Sequence, residues 1–225
     1  MHYSVEKSWQ AALAQRLEDG NLRQLKIASQ ELIDFCSNDY LGFARNQYFW
    51  ESVHNTWRGF EKTALGGATG SRLISGNHPY LMDLESRLAA WVGTEAALLF
   101  NSGYQANVAI LATLPQRGDT LLCDANIHAS LRDGARLSQA KRQYFAHNDL
   151  EALEQKLQKA QGQGQSFVVI ESVYSMDGDQ APLKAMAACC ERYGAYLIVD
   201  EAHGVGVFGE QGRGLVAQEG WTEQK

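Results

Sequence analysis

Four short apolar runs, at residues 96–100, 120–123, 166–171 and 196–199, constrain this chain more than any other feature. Each is too short for an ordinary helix, and polar or glycine residues follow each at once. Runs of this kind read as strands buried on both faces of a parallel sheet. Helical stretches lie between them. Residues 149–160 place Leu150, Leu153 and Leu157 on one face. Residues 182–193 open on Pro182, which suits a first helical turn. Another helix follows Asn101-Ser102-Gly103 and runs to residue 114. Strand and helix in alternation predict an α/β fold in three layers, a mainly parallel sheet covered by helices.

The last run carries the most chemistry. It closes in Asp200, and Glu201-Ala202-His203-Gly204 follow. In open α/β sheets ligands bind beyond the carboxyl ends of the strands, so Asp200 and His203 fall at the mouth of a site. A carboxylate buried there needs a partner. Three functional readings compete. Asp200-Glu201-Ala202-His203 spells the box of DEAH-type helicases, in which the first acid holds Mg²⁺. The segment 204–209 matches G-x-G-x-x-G, the dinucleotide fingerprint. In the third reading, a pyridoxal phosphate site, an Asp faces the pyridinium nitrogen and a His faces the ring hydroxyl. The structural alternative is a strand end whose acid caps a turn.

Context separates these readings. A dinucleotide fingerprint opens a helix directly after its strand, whereas here four residues intervene. The sequence after it, Glu210-Gln211-Gly212-Arg213-Gly214, is a poor helix start. A helicase needs a phosphate loop ending in Gly-Lys-Ser/Thr. The glycine-rich Gly66-Gly67-Ala68-Thr69-Gly70-Ser71-Arg72 has no Lys after its last glycine. The net charge of -6 also argues against a nucleic-acid surface, which would need a basic face.

Other strand ends support the pyridoxal phosphate reading. Phe100-Asn101-Ser102-Gly103-Tyr104 is strand, small residues, then helix, and a helix start offers backbone N–H groups to a phosphate. Gly103 lets the backbone approach closely. His128 follows the run at 120–123, where a flat imidazole could stack on a flat ring; capping the next helix is its structural alternative. Ser175, in Glu171-Ser172-Val173-Tyr174-Ser175-Met176-Asp177-Gly178-Asp179, brings a hydroxyl to the same mouth. Convergence of four strand ends is a stronger signal than any one of them.

The N-terminal part reads differently. Residues 8–17 form a helix with Trp9, Leu13 and Leu17 together on one face. Residues 32–36 are a candidate strand, and 80–92 a helix with Leu81, Leu84, Leu88 and Trp91 as its core face. We expect an N-terminal helix-and-strand segment over 1–50 and a partial cofactor-binding domain over 51–225. No apolar run approaches the roughly 20 residues that span a bilayer, and the first residues lack a signal-peptide core. The spacing of Cys36, Cys123, Cys189 and Cys190 fits no zinc pattern, and no metal is expected. All four read as buried, reduced thiols of a cytoplasmic protein.

At this point the motifs resemble a known family, the α-oxoamine synthases, which are fold-type I pyridoxal phosphate enzymes. The resemblance rests on an ordered set: Ser37-Asn38-Asp39-Tyr40-Leu41-Gly42, the glycine-rich segment 66–76, Ser102-Gly103-Tyr104, His128-Ala129-Ser130, Ser175-Met176-Asp177-Gly178-Asp179, Asp200-Glu201-Ala202-His203-Gly204 and Gly212-Arg213-Gly214. It implies a decarboxylative condensation of an amino acid with an acyl thioester. The segment 70–77, Arg136-Leu137-Ser138 and His147-Asn148-Asp149 favour the branch that joins L-alanine to a pimeloyl thioester, carried on CoA or on acyl carrier protein. Neighbouring branches use glycine with acetyl- or succinyl-CoA.

The resemblance also implies roles. Asp200 pairs with the pyridinium nitrogen and His203 with the ring hydroxyl. His128 stacks on the ring and assists proton transfer. Gly103 and Tyr104 lie near the phosphate end and Ser175 near the ring, while Arg23 and Asn38 match substrate positions. The family's enzymes are homodimers, with the segment 66–76 near the partner's site. Its cofactor-anchoring lysine is expected beyond residue 225, with the rest of the large domain and a small C-terminal domain. None of the eight lysines here sits in the matching context. The 225 residues alone are therefore expected to bind without turning over.

Overall fold

A computed structural model describes residues 3–27, 29, 31–59 and 67–221. It divides into two compact units, one up to Tyr40 and one from Leu41 onward.

The first unit opens with α1 (Tyr3–Glu18), which contains the expected helix. Trp9, Leu13 and Leu17 share a face and are exposed. The strand expected at 32–36 does not form; the segment is irregular and exposed. Asp34 explains why. Its Oδ1 accepts the N–H groups of Cys36 at 3.0 Å and Ser37 at 3.1 Å. Such local side-chain bonds compete with a ladder. Cys36 is accordingly exposed, against the expectation of a buried thiol.

The second unit begins with α2 (Gln47–Gly59) and α3 (Pro79–Val92). The latter starts on Pro79, with the His78 ring accepting from Tyr80 N–H, and ends at Gly93 in the left-handed conformation. The strand expected at 96–100 is also absent: Leu98 and Phe100 are exposed, and Leu99 N–H donates to the Glu85 carboxylate at 2.8 Å rather than to a neighbouring strand. Next come α4 (Gly103–Thr113), β1 (Thr120–Asp124), α5 (Ala129–Leu137) and β2 (Lys141–Phe145). They are followed by α6 (Leu150–Ala160), β3 (Ser166–Glu171), α7 (Leu183–Tyr193), β4 (Tyr196–Asp200) and the short α8 (Leu215–Gln218).

The sheet is fully parallel, in the order β2-β1-β3-β4. Three of its strands sit where the apolar runs place them. The fourth, β2, is unanticipated. It is an edge strand of Lys141-Arg142-Gln143-Tyr144-Phe145 in which only Phe145 is buried.

Successive strand residues point to opposite faces, and two cores result. On one face Leu122, Val168 and Ile170 meet Leu153 and Leu157 of α6 and Leu183, Met186, Cys189 and Cys190 of α7. On the other, Leu121, Cys123, Phe167 and Val169 meet Leu111 of α4 and Leu131 and Ala135 of α5. This is the expected three-layer α/β arrangement. Gly134 lets α4 and α5 approach closely, since a Cβ there would lie 2.9 Å from the Asn107 carbonyl oxygen and 3.0 Å from Val108 Cα. From β1 the chain crosses outward to β2, and from β3 outward to β4 in the opposite direction. The β1–β3 boundary is thus the topological switch point, the position at which open α/β sheets bind their ligands.

Candidate cofactor site at the carboxyl edge of the sheet

Three strands end in carboxylates at this edge: Asp124 on β1, Glu171 on β3 and Asp200 on β4. Glu171 and Asp200 are register partners. Asp124 and Glu171 are buried, and Asp200 is half-buried.

Asp200 is held by two neutral donors. Its Oδ2 accepts from Asn107 Nδ2 at 2.7 Å, and its Oδ1 from Ala202 N–H at 2.8 Å. The Asn107 amide also donates to Ser130 Oγ at 3.0 Å, and Ser130 Oγ lies 2.7 Å from His128 Nδ1. One polar chain therefore runs from the end of β4, across α4, to the start of α5. His128 caps α5, its ring nitrogen accepting from Ser130 N–H at 3.2 Å, while much of the residue stays exposed. The capping alternative and a cofactor-facing ring are thus compatible.

Gly103 and Tyr104 open α4, one turn before Asn107. Ser102 caps this helix by accepting from Gln105 N–H at 3.2 Å. The N–H groups of Gly103 and Tyr104 fall outside the helix's own ladder. Space beside the Gly103 Cα is open. The Tyr104 hydroxyl donates to Asp133 Oδ2 at 2.6 Å, a bond that raises the phenol's pKa and lowers that of the carboxyl.

Glu171 joins two loops. Its carboxylate accepts the N–H of His128 through one oxygen and, at 3.3 Å, the N–H of Ser175 through the other. Burial, with Asp200 and Asp124 nearby, pushes it up to about 7 against the pull of these two bonds. Ser175 itself is exposed.

Asp124 organises the loop after β2. It accepts from His147 Nδ1 at 2.9 Å, Asn148 N–H at 2.8 Å and Asn126 N–H at 2.7 Å. His147 Nε2 lies 2.8 Å from Asp179 Oδ2, and the Tyr174 ring meets the imidazole edge-on. Burial lowers the His147 pKa, but the hydrogen bonds to Asp124 and Asp179 outweigh it and leave the imidazole above its ordinary value.

His203 is half-buried in the turn after Asp200. The adjacent Glu201 caps α8, accepting from Leu215 N–H at 2.7 Å and Val216 N–H at 3.2 Å. The glycines at 204–209 form turns rather than a helix start, with Gly206 N–H bonded to the Gly212 carbonyl. Arg23 and Asn38 belong to the first unit, where both are exposed. Gly66 lies outside the described residues.

Asp200, His128 and Ser175 are thus linked through residues that sequence reasoning did not single out. Asn107 had one signal, an amide directly before the apolar run Val108-Ala109-Ile110-Leu111-Ala112. Glu171 had its strand-end position. Among the described residues Asp200 has only neutral partners, so its charge has no cation to balance it, which suits a cationic group placed against it.

Comparison with known proteins agrees with this fold. The family "Aminotransferase class I and II" matches residues 30–222. A curated relative from Bacillus licheniformis, "Putative 8-amino-7-oxononanoate synthase", is 42% identical over 93% of this chain and 54% of its own length. A serine palmitoyltransferase from S. paucimobilis, solved with a bound PLP–myriocin aldimine, is 32% identical. It superposes with a TM-score of 0.81 over 96% of this chain and 58% of that one. The 8-amino-7-oxononanoate synthase of Francisella tularensis is 33% identical with a TM-score of 0.66, over 84% of this chain and 50% of its own. The chain spans about half the length of the curated relatives it matches.

Proposed function

The chain belongs to the aminotransferase class I and II family, and on that premise we propose that the carboxyl edge of its sheet holds pyridoxal phosphate. The observation that carries this reading is Asp200, half-buried, oriented by Asn107 and Ala202 N–H, and unbalanced by any described cation. Such a carboxylate stabilises a protonated ring nitrogen. When bound, the cofactor supplies an electron sink for the α-carbon of an amino acid. The residues of this chain supply the rest. His128 would stack on the ring and move a proton, and His203 would hold the ring hydroxyl. The start of α4, at Gly103 and Tyr104, would receive the phosphate end, and Ser175 would line the ring. Arg23 and Asn38 would meet substrate; a guanidinium suits an acyl tail carrying a carboxylate.

For the reaction, we propose condensation of L-alanine with a pimeloyl thioester to 8-amino-7-oxononanoate, a step of biotin synthesis, by a cytoplasmic homodimer. Similarity to proteins of that name supports it. The test is an assay of the protein from the full reading frame with PLP, L-alanine and pimeloyl-CoA. Mass-spectrometric detection of 8-amino-7-oxononanoate supports the reading. Turnover only of glycine with acetyl- or succinyl-CoA, or of serine with a palmitoyl thioester, moves the protein to another branch.

One observation favours a second reading for the 225 residues on their own. Among the described lysines of the second unit, Lys141 opens β2 at the opposite edge of the sheet, Lys156 and Lys159 lie on α6, and Lys184 pairs with Glu219 at 2.9 Å. None of these described lysines is bonded to Asp124, Glu171 or Asp200. In this reading the chain binds pyridoxal phosphate without a covalent link and without turnover. An absorption band of lysine-linked cofactor in the purified chain would overturn it.

A further inference from the structure

Glu171 is a buried carboxylate to which the cofactor chemistry above assigns no part. Only 2% of the residue is exposed. It ends β3, at the switch point between β1 and β3. Each of its oxygens is committed to a different loop, one to His128 N–H and the other to Ser175 N–H. No covalent link or ladder pairing ties these two loops at those residues; this one side chain bridges them.

We propose that Glu171 is a positioning residue for the cofactor ring, a clamp that aims His128 and Ser175 together. The inference rests on the pyridoxal phosphate reading, because only then do both loops face one ligand.

The clamp needs an ionised carboxylate. A protonated one loses its charge and part of its acceptor capacity, which weakens its hold on the two N–H groups. Several groups act on this proton. Asp124 on β1 and Asp200 on β4 favour it, while the N–H groups of His128 and Ser175 oppose it. Tyr174, three residues on, and the imidazoles of His128 and His147 complete the titratable surroundings. Burial is the largest influence and brings Glu171 up to about 7. The clamp is therefore set to tighten as pH rises through neutrality.

Two measurements test this, and the first needs no cofactor. In ¹H–¹⁵N spectra of the chain between pH 5.5 and 8, the Ser175 and His128 amides are expected to shift with a shared midpoint near 7. Glu171→Gln should abolish that shared step. His128 has its own ring nearby, so Ser175 is the diagnostic amide. In the second, PLP binding is followed by its induced circular dichroism. Glu171→Gln should weaken binding roughly tenfold at pH 8 and remove the wild-type gain in affinity between pH 6 and 8. A merely structural role would lower affinity and leave the shape of the pH profile unchanged. A wild-type Ser175 amide with no inflection in that range would overturn the clamp, and this holds even if Glu171→Gln fails to fold. So would a Glu171→Gln protein that retains the inflection. If the wild type binds no PLP while the amides titrate as expected, the cofactor reading fails and the clamp stands only as a tie between two loops.

Discussion

Asn107 Nδ2 and Asp200 Oδ2 lie 2.7 Å apart, 93 residues distant in sequence, and this bond ties the first helix of the sandwich to the last strand of the sheet. It fixes the carboxylate without neutralising it. Asn107→Ala leaves both Asp200 and Ser130 short of a donor and should cost about 2 kcal/mol in urea unfolding. Asn107→Asp sets a second carboxylate against Asp200. Its penalty should exceed that of the alanine variant at pH 7 and shrink at pH 4, where one of the pair takes up a proton. Equal penalties at the two pH values would contradict this.

Gly134 governs the spacing of the helices that carry Asn107 and Ser130. Alanine raises helix propensity by about 1 kcal/mol over glycine. Here, however, its Cβ would press on the Asn107 carbonyl at 2.9 Å and on Val108 Cα at 3.0 Å, both backbone atoms. Overpacking of this kind costs about 1–3 kcal/mol, so a net loss of stability is expected. The shift moves Asn107 itself, and PLP affinity should fall with it. A Gly134→Ala chain more stable than wild type in urea would contradict the close packing.

Glu171 has a consequence for stability as well as for binding. Its folded value near 7 exceeds the ordinary 4.5, so between these values the folded chain binds the proton that the unfolded chain releases. Stability from this group is complete below the unfolded value and is lost as pH rises through the folded one. The loss amounts to about 3 kcal/mol. His147, also raised, adds a decline of the same sign near and above its ordinary value of 6.5. Urea unfolding across pH 5–8 should show the fall, and Glu171→Gln should flatten most of it between pH 5 and 7.

Glu85 acts in the opposite sense at the acid end. Arg72 donates to both its oxygens, one at 2.9 Å, and Leu99 N–H donates as well. These bonds, the Arg72 pair first, hold its carboxyl down at about 2. Its contribution is therefore present above pH 4.5 and is lost as pH falls toward 2. Glu85→Gln should lower stability above pH 5, where the ionised carboxylate contributes, and remove that part of the acid transition seen by circular dichroism. An unchanged acid limb would contradict it.

The sheet was legible where a strand is an unbroken apolar run, buried in β1 and β3 and half-buried in the edge strand β4. Leu121-Leu122-Cys123, Phe167-Val168-Val169-Ile170 and Leu197-Ile198-Val199 are such runs, and all three form strands. The same signal misled at 96–100, because apolarity supplies no hydrogen-bonding neighbour and Glu85 takes the Leu99 N–H instead. It was silent for β2, whose edge position lets Lys141 and Arg142 face solvent. At the site, Asp200, His128 and Ser175 stood out because each follows a strand. The connectors did not. Asn107 meets Asp200 only once α4 lies over the sheet, and Glu171 reads as a strand terminus until the loops after β1 and β3 close on it.

PLP titration of the purified chain, read by induced circular dichroism, tests the central claim most directly. Wild type should show a saturable signal, Asp200→Asn should weaken binding at least tenfold, and Glu154→Gln, on α6 where it pairs with Arg192 of α7, should leave it unchanged. A chain that gives no saturable signal, or an Asp200→Asn variant that binds as tightly as wild type, would contradict a cofactor held at the carboxyl edge of this sheet.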